Sequence, residues 1–226
     1  KVLNTTNLPV SEPIYLDTSC KILHRPFMIM SYLDGSLGTS NEKVICDHEL
    51  MATQLRNIHQ IKIDNLPELS LRVDPLDQLL SYIPKGRDWN EIRNFIKNLT
   101  IDEYKGKKCL LHGDYWPGNI LWNNENISGI LDWEYAAIGD PLADLAVTCL
   151  DARYSNGEIG MNSFKQKYLG NEKIDEYRFN LWLIYIAAST LHYINNWNLD
   201  KQTKTTMKRE SKLTILSSFN IIKNQS

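Results

Sequence analysis

The sequence predicts an α+β fold, on three observations. Short β-patterned runs open the chain, an apolar hairpin pattern appears near its middle, and helical periodicity fills most of the rest. Residues 12–16 and 27–33 read as two strands. Pro9, Pro13 and Pro26 punctuate them, and Asp17-Thr18-Ser19 is a turn signal. Residues 42–60 follow a helical period, with Val44, Leu50, Met51, Leu55 and Ile58 on one face. Residues 75–83 and 88–104 are further predicted helices, the second carrying Trp89, Ile92, Phe95, Ile96 and Leu99. Cys109-Leu110-Leu111 reads as a short apolar strand. Ile120-Leu121-Trp122 and Ile127–Leu131 flank the polar run Asn123–Asn126 as a hairpin. Asp140-Pro141 is a helix start, a capping carboxylate followed by proline at the first helical position. That helix is predicted to reach about Leu150, with three more over 161–169, 174–198 and 200–222.

Composition narrows the class. The 226 residues carry 25 Lys and Arg against 27 Asp and Glu, a formal charge of −2, with 42% hydrophobic and 23% charged residues. These values exclude a disordered chain, a collagen-like chain and a membrane bundle. The near-zero charge supplies no field for nucleic-acid binding, so neither nucleic acid nor a membrane is an expected partner. Leu181–Leu191 is too short to span a bilayer and reads as a buried helix. Cys20, Cys46, Cys109 and Cys149 lie far apart, which suits reduced thiols in a cytoplasmic protein. The N-terminus has no apolar signal core and no initiator Met, so the chain is expected to begin after the true start. The N-x-[ST] triplets at Asn4, Asn98 and Asn126 read as chance in an Asn-rich chain.

The chemistry concentrates in His112-Gly113-Asp114-Tyr115-Trp116-Pro117-Gly118-Asn119 and, after the hairpin, in Leu131-Asp132-Trp133-Glu134. Asn119 begins the first hairpin strand and Asp132 ends the second. In an antiparallel pair those ends lie side by side, roughly 5 Å apart. A loop containing Gly113, Pro117 and Gly118 can return the Asp114 carboxylate toward the same point. Two carboxylates and an amide oxygen, with no His/Cys cluster, suit Mg²⁺ shared with phosphate oxygens. The H-x-D-x-x-x-x-N spacing with a downstream Asp is the arrangement that phosphoryl transfer uses.

These segments, with Gly139-Asp140-Pro141-Leu142-Ala143-Asp144-Leu145-Ala146, resemble the aminoglycoside phosphotransferase/choline kinase superfamily of small-molecule kinases. Leu55-Arg56-Asn57-Ile58-His59 is similar to that family's Leu-x-x-Leu-His helix. Pro26–Gly35 resembles its hinge strand and the following turn. The resemblance implies a protein-kinase-like fold. Residues 35–226 would be the helical C-terminal lobe, and residues 1–34 the end of an N-terminal lobe with the hinge strand. It further implies Asp114 as catalytic base and Asn119 and Asp132 as Mg²⁺ ligands. His112 would shape the catalytic loop and Asp144 would brace it. Met30 would back the adenine pocket, the Ser31 and Leu33 backbones would bond the adenine edge, and Leu121 and Leu131 would form the floor. The implied activity is transfer of the γ-phosphoryl group of ATP or GTP to a small-molecule alcohol. The alternative is a non-catalytic kinase-like module that binds a ligand or partner. Asp132-Trp133-Glu134 in place of Asp-Phe-Gly argues against a protein kinase.

Two features depart from the family. The first glycine is Gly35, after the hinge strand, so no Gly-rich loop precedes the adenine site. Only Lys1 and Lys21 lie upstream, neither in a strand of the expected pattern. Several residues carry plain structural expectations. Asp140 reads as a helix cap, His59 as a packed helix residue, and Trp116, Trp122 and Trp133 as packing. Cys20 and His24 have no second pair to complete a metal site. Asp151, Glu158, Glu172, Asp175 and Glu176 read as solvated surface, with a cleft for a cationic substrate as the alternative, and the basic face Lys201, Lys204, Lys208, Arg209 and Lys212 reads as solvated surface.

Overall fold

The computed structural model describes residue 3 and residues 6–38, 47–76 and 78–225. The predicted contribution of Val44 to the first helix, Cys46 and the Asn4 triplet lie outside these residues. In chain order the elements are β1 (Pro13–Asp17), β2 (Phe27–Met30), β3 (Ser36–Leu37), α1 (His48–His59), β4 (Leu71–Arg72), α2 (Leu79–Tyr82) and α3 (Asn90–Asn98). There follow β5 (Cys109–Leu111), β6 (Ile120–Asn123), β7 (Asn126–Ile130), β8 (Ala137–Gly139), α4 (Leu142–Leu169), α5 (Glu176–Tyr193) and α6 (Lys201–Gln225).

Among the described residues, the strands fall into three small sheets with orders β1-β2, β3-β6-β7 and β4-β8-β5. β1 and β2 pair antiparallel, and the ribbon leaves Ile14, Leu16, Met28 and Ile29 exposed. β6 and β7 form the expected hairpin, Asn123 opposite Asn126, with positive φ at both turn residues, Asn124 (49°) and Glu125 (65°). Asn tolerates that conformation, and two successive positive φ values match the right-handed strand twist.

α1 starts where the Asp47 carboxylate accepts from Glu49 N and Leu50 N, and it buries Met51, Ala52, Leu55 and Ile58. Those residues join Leu111, Tyr115, Leu145 and Cys149 in one core, beneath the segment between β5 and β6. A second core, with Leu79, Ile92, Ile96, Leu181, Ile215 and Phe219, binds α2 and α3 to α5 and α6.

The structure revises several boundaries. α4 runs through the stretch expected to be a break, kinking at Asn156 (φ −140°) and Gly157 (φ 59°). Glycine accepts that positive φ without steric cost, so the helix resumes to Leu169. The predicted helices at 75–83 and 88–104 shrink to Leu79–Tyr82 and Asn90–Asn98. β3, β4 and β8 are only two or three residues long, too short for an alternation pattern to register.

Candidate active site

The segment from His112 to Asn119 hangs between β5 and β6 and is braced from two helices. Asp144, fully buried on the first turn of α4, accepts from His112 N at 2.8 Å and Gly113 N at 2.8 Å. One turn later, Thr148 Oγ1 donates to Tyr115 O at 2.6 Å. On α1, the Met51 carbonyl accepts from Tyr115 OH at 3.0 Å. His59, expected only to pack, bonds Asp144 Oδ2 through Nε2 at 3.2 Å, and its Nδ1 lies 2.7 Å from Tyr168 OH. Burial pushes the Asp144 carboxyl up. The bond and charge of His59 and the partners at His112 outweigh it and hold the group below the ordinary carboxylate range.

Gly113 takes φ 87°, and a Cβ there would stand 2.3 Å from the Tyr135 carbonyl, so glycine alone fits. The His112 ring is fixed by its partners. Leu131 O can only accept, 2.8 Å from Nε2, and Asp114 N–H can only donate, 3.3 Å from Nδ1. Those roles specify the neutral tautomer with the proton on Nε2. Burial lowers the His112 pKa, consistent with a neutral ring.

Asp114 is half-buried, and Asn119 Nδ2 donates to its backbone oxygen at 2.9 Å and to Oδ2 at 3.0 Å. Burial raises the Asp114 pKa, the Asn119 hydrogen bond opposes it, and the Asp132 charge adds to the rise. The hairpin register brings the two strand ends together, with Ile120 opposite Ile130 and Leu131 N donating to Asn119 O at 2.8 Å. Asp132 follows at once, exposed, with φ 59°. A positive φ is uncommon outside glycine and here turns the chain sharply at the strand end. Among the described residues no three His, Cys, Asp or Glu side chains surround one point. The donors at the hairpin end are a carboxamide and carboxylates, all oxygen, a set that fits Mg²⁺ completed by phosphate and water.

Leu33 and Leu121 converge over Gly129, where a Cβ would meet Leu33 Cδ1 and Leu121 Cδ1 at 3.0 Å each. Leu121 and Leu131 are half-buried, and Met30 is 50% exposed at the end of the ribbon. The Ser31 N–H is already donated to Glu12 O at 2.8 Å, and Ser31 Oγ accepts from Glu12 N at 2.8 Å, so of the Ser31 backbone groups only the carbonyl is left for a ligand.

Sequence reasoning missed a second brace. Pro141 holds the N-cap position of α4 and Asp140 stands one residue before it, accepting from Leu142 N at 3.0 Å; it is fully buried and also accepts from Arg178 Nε (2.6 Å) and Trp182 Nε1 (2.8 Å). Arg178 in turn reaches the Val73 and Asp102 carbonyls, tying α5 to two distant segments. Asp151, read as surface, shares a helix face with Asp144 and Thr148. Burial and the Asp114 charge push it up to about 7. Glu158, Glu172, Asp175 and Glu176 are exposed, as expected. A heptad spacing from Asp144 was the available signal for Asp151.

A model of the phosphotransferase enzyme family matches residues 1–179. The chain belongs to that family. Among relatives of this phosphotransferase-family chain, mouse acyl-CoA dehydrogenase family member 10 is 22% identical over 224 residues, covering 88% of this chain and 20% of that protein. "Probable aminoglycoside 3'-phosphotransferase" of Lactococcus lactis is 28% identical over 178 residues, covering 71% of this chain and 62% of that protein. The chain therefore spans less than two thirds of either relative. Among solved structures, an aminoglycoside phosphotransferase candidate from Ralstonia eutropha superposes with TM-score 0.71 at 14% identity, covering 99% of this chain and 80% of that one. Macrolide 2'-phosphotransferase type I does so with TM-score 0.61 at 15% identity, over 92% and 74%. The fold is the kinase-like α+β fold of these enzymes, and among the described residues no helix is long and apolar enough to cross a membrane.

Proposed function

We propose that the protein is a nucleotide-dependent O-phosphotransferase that moves the γ-phosphoryl group of ATP or GTP to a hydroxyl of a small-molecule alcohol. The observation that carries this is the Asn119–Asp114 hydrogen bond, placed beside Asp132 by the hairpin register. Family membership supports it, as does a structural neighbour described in a ternary complex with ADP and hygromycin B, TM-score 0.62 at 12% identity.

On this reading Asp114 accepts the acceptor's hydroxyl proton. Its half-buried position and raised pKa make it a better base than a free carboxylate. The Asn119 amide nitrogen aims that carboxylate, and the Asn119 oxygen and Asp132 would hold Mg²⁺. When bound, the ion would neutralise charge on the transferring phosphoryl group. Neutral His112 and buried Asp144 act on the loop rather than on substrate. Asp144 holds the two amides preceding Asp114, so the base is positioned before substrate arrives. Leu33, Leu121 and Leu131 would floor the base of the nucleotide, with Met30 behind it and the Ser31 carbonyl and Leu33 backbone at its edge. Residues 1–34 would be the end of a smaller lobe and residues 35–226 the helical lobe; the separation of the β1–β2 ribbon from the other sheets supports that division.

The test is ADP release against a panel of alcohols together with calorimetric Mg-ATP binding. Asp114→Ala is expected to lower turnover roughly 10²–10⁴-fold, the usual worth of a general base, with nucleotide affinity within about twofold of the parent. Asp132→Ala is expected to weaken Mg-ATP binding. Turnover retained by Asp114→Ala refutes the assignment.

A further inference from the structure

Arg72 has no part in the chemistry above, and its surroundings are unusual for an arginine. It is half-buried on β4, opposite Gly139 of β8. Its guanidinium carbon lies 5.8 Å from the centre of the Trp182 ring and 6.0 Å from that of Tyr185, both on α5. Nη1 donates to the Gly113 carbonyl at 3.3 Å, one residue before Asp114. Among the described residues no carboxylate lies within ion-pair distance of it. The neighbouring buried carboxylates are already engaged. Asp140 is held by Arg178 and Trp182, and Asp144 by His59 and two loop amides.

A guanidinium offers five N–H donors in a rigid fork. Here one long bond to a neutral carbonyl is the hydrogen bond it makes among the described residues. The two rings orient the fork by cation–π attraction without cancelling its charge. Partial burial makes an unpaired charge costly, so the arrangement gains most from an anion supplied by a ligand. Topology indicates which ligand. The apolar floor assigned to the nucleotide belongs to the β3-β6-β7 sheet and the segment leading into it. Arg72 belongs to the β4-β8-β5 sheet, on the α5 side of the loop.

We propose that Arg72 grips an anionic group, carboxylate or phosphate, on the acceptor alcohol. The acceptor is then a hydroxy acid or a phosphorylated alcohol rather than a polycation. The inference rests on the phosphotransferase reading, which supplies the acceptor. It makes Arg72 a specificity-determining residue whose loss is felt in acceptor affinity and not in nucleotide affinity.

The test is calorimetry on the full chain saturated with Mg-AMP-PNP. Glycolate, 3-hydroxybutyrate and glycerol 3-phosphate are titrated against ethylene glycol, 1,3-butanediol and glycerol, with kanamycin as the cationic probe. At least one anionic alcohol is expected to bind while its neutral partner does not, and the carboxylate and phosphate arms identify the group. Arg72→Gln is expected to weaken that binding about 10–100-fold, the range of a lost charge-assisted bond, and Arg72→Lys to recover part of it. Mg-AMP-PNP affinity should stay within about twofold in both variants, which also reports that they fold. Tyr185→Leu removes half the aromatic platform while leaving the guanidinium, and should weaken anion binding several-fold. Equal binding of neutral or cationic alcohols, or anion binding unchanged in Arg72→Gln, overturns the assignment. So does nucleotide binding with no anionic alcohol bound, and that result leaves the kinase reading standing. Failure to bind nucleotide overturns the kinase reading instead, and the same panel without nucleotide still decides Arg72.

Discussion

Replacing Asp144 by Asn tests how the loop is held. The parent carboxylate has no solvent exposure, and its two oxygens receive three N–H donors, from His112 N, Gly113 N and His59 Nε2. An amide keeps one acceptor oxygen and turns an NH₂ toward the other side. If the oxygen stays with Gly113, the His112 amide and His59 face a donor. Each orphaned buried donor costs about 1–3 kcal/mol. His59 can relieve its share by moving its proton to Nδ1 and turning it toward Tyr168 OH, which leaves the His112 amide orphaned and an expected loss of about 1–3 kcal/mol. A domain of this size typically has about 5–15 kcal/mol in total. At roughly 2–4 °C per kcal/mol, the midpoint should fall by about 2–12 °C. Urea unfolding followed by the fluorescence of the six tryptophans reads the difference. The pH dependence has a definite sign. The folded pKa of Asp144 is depressed, so its stabilisation is present above the unfolded carboxylate value and is lost as pH falls through the lower folded value. Asp144→Asn has no such group, so the gap between parent and variant should be full at neutral pH and narrow in acid. A gap below about 0.5 kcal/mol at neutral pH, within the range of an ordinary surface change, would refute the bracing argument. So would a gap that does not narrow on acidification.

Three further outcomes follow from the same geometry. Gly113→Ala, with a Cβ 2.3 Å from the Tyr135 carbonyl at φ 87°, should cost roughly 2 kcal/mol or more, read by thermal denaturation. Arg178→Met strands the buried Asp140 carboxylate and should cost about 3–5 kcal/mol; adding Asp140→Leu should recover much of that in a double-mutant comparison. Among the described thiols, Cys109 and Cys149 are buried with pKa values pushed up by desolvation, while Cys20 is half-exposed, so native iodoacetamide labelling read by mass spectrometry should modify Cys20 first.

The sequence by itself determined the parts whose partners are near in the chain. Asp114 and Asn119 are five residues apart, and Asp132 returns to Asn119 because a two-residue turn joins β6 to β7. Residue types and spacing therefore sufficed to foresee the Asp114–Asn119 contact and the return of the chain beside Asn119 just before Asp132. The β1–β2 ribbon, the hairpin and the α4–α6 helices were legible for the same reason, since their periodicity is local. The braces were not. His59 meets Asp144 across 85 positions, Arg178 meets Asp140 across 38, and Arg72 meets Gly113 across 41. Arg72 stands on a two-residue strand that carries no pattern of its own. Whether a carboxylate caps a helix, anchors a loop or faces solvent depends on which donors packing delivers to it. Only the tertiary structure decided that, because it alone sets which charges are buried together and which are left without a partner.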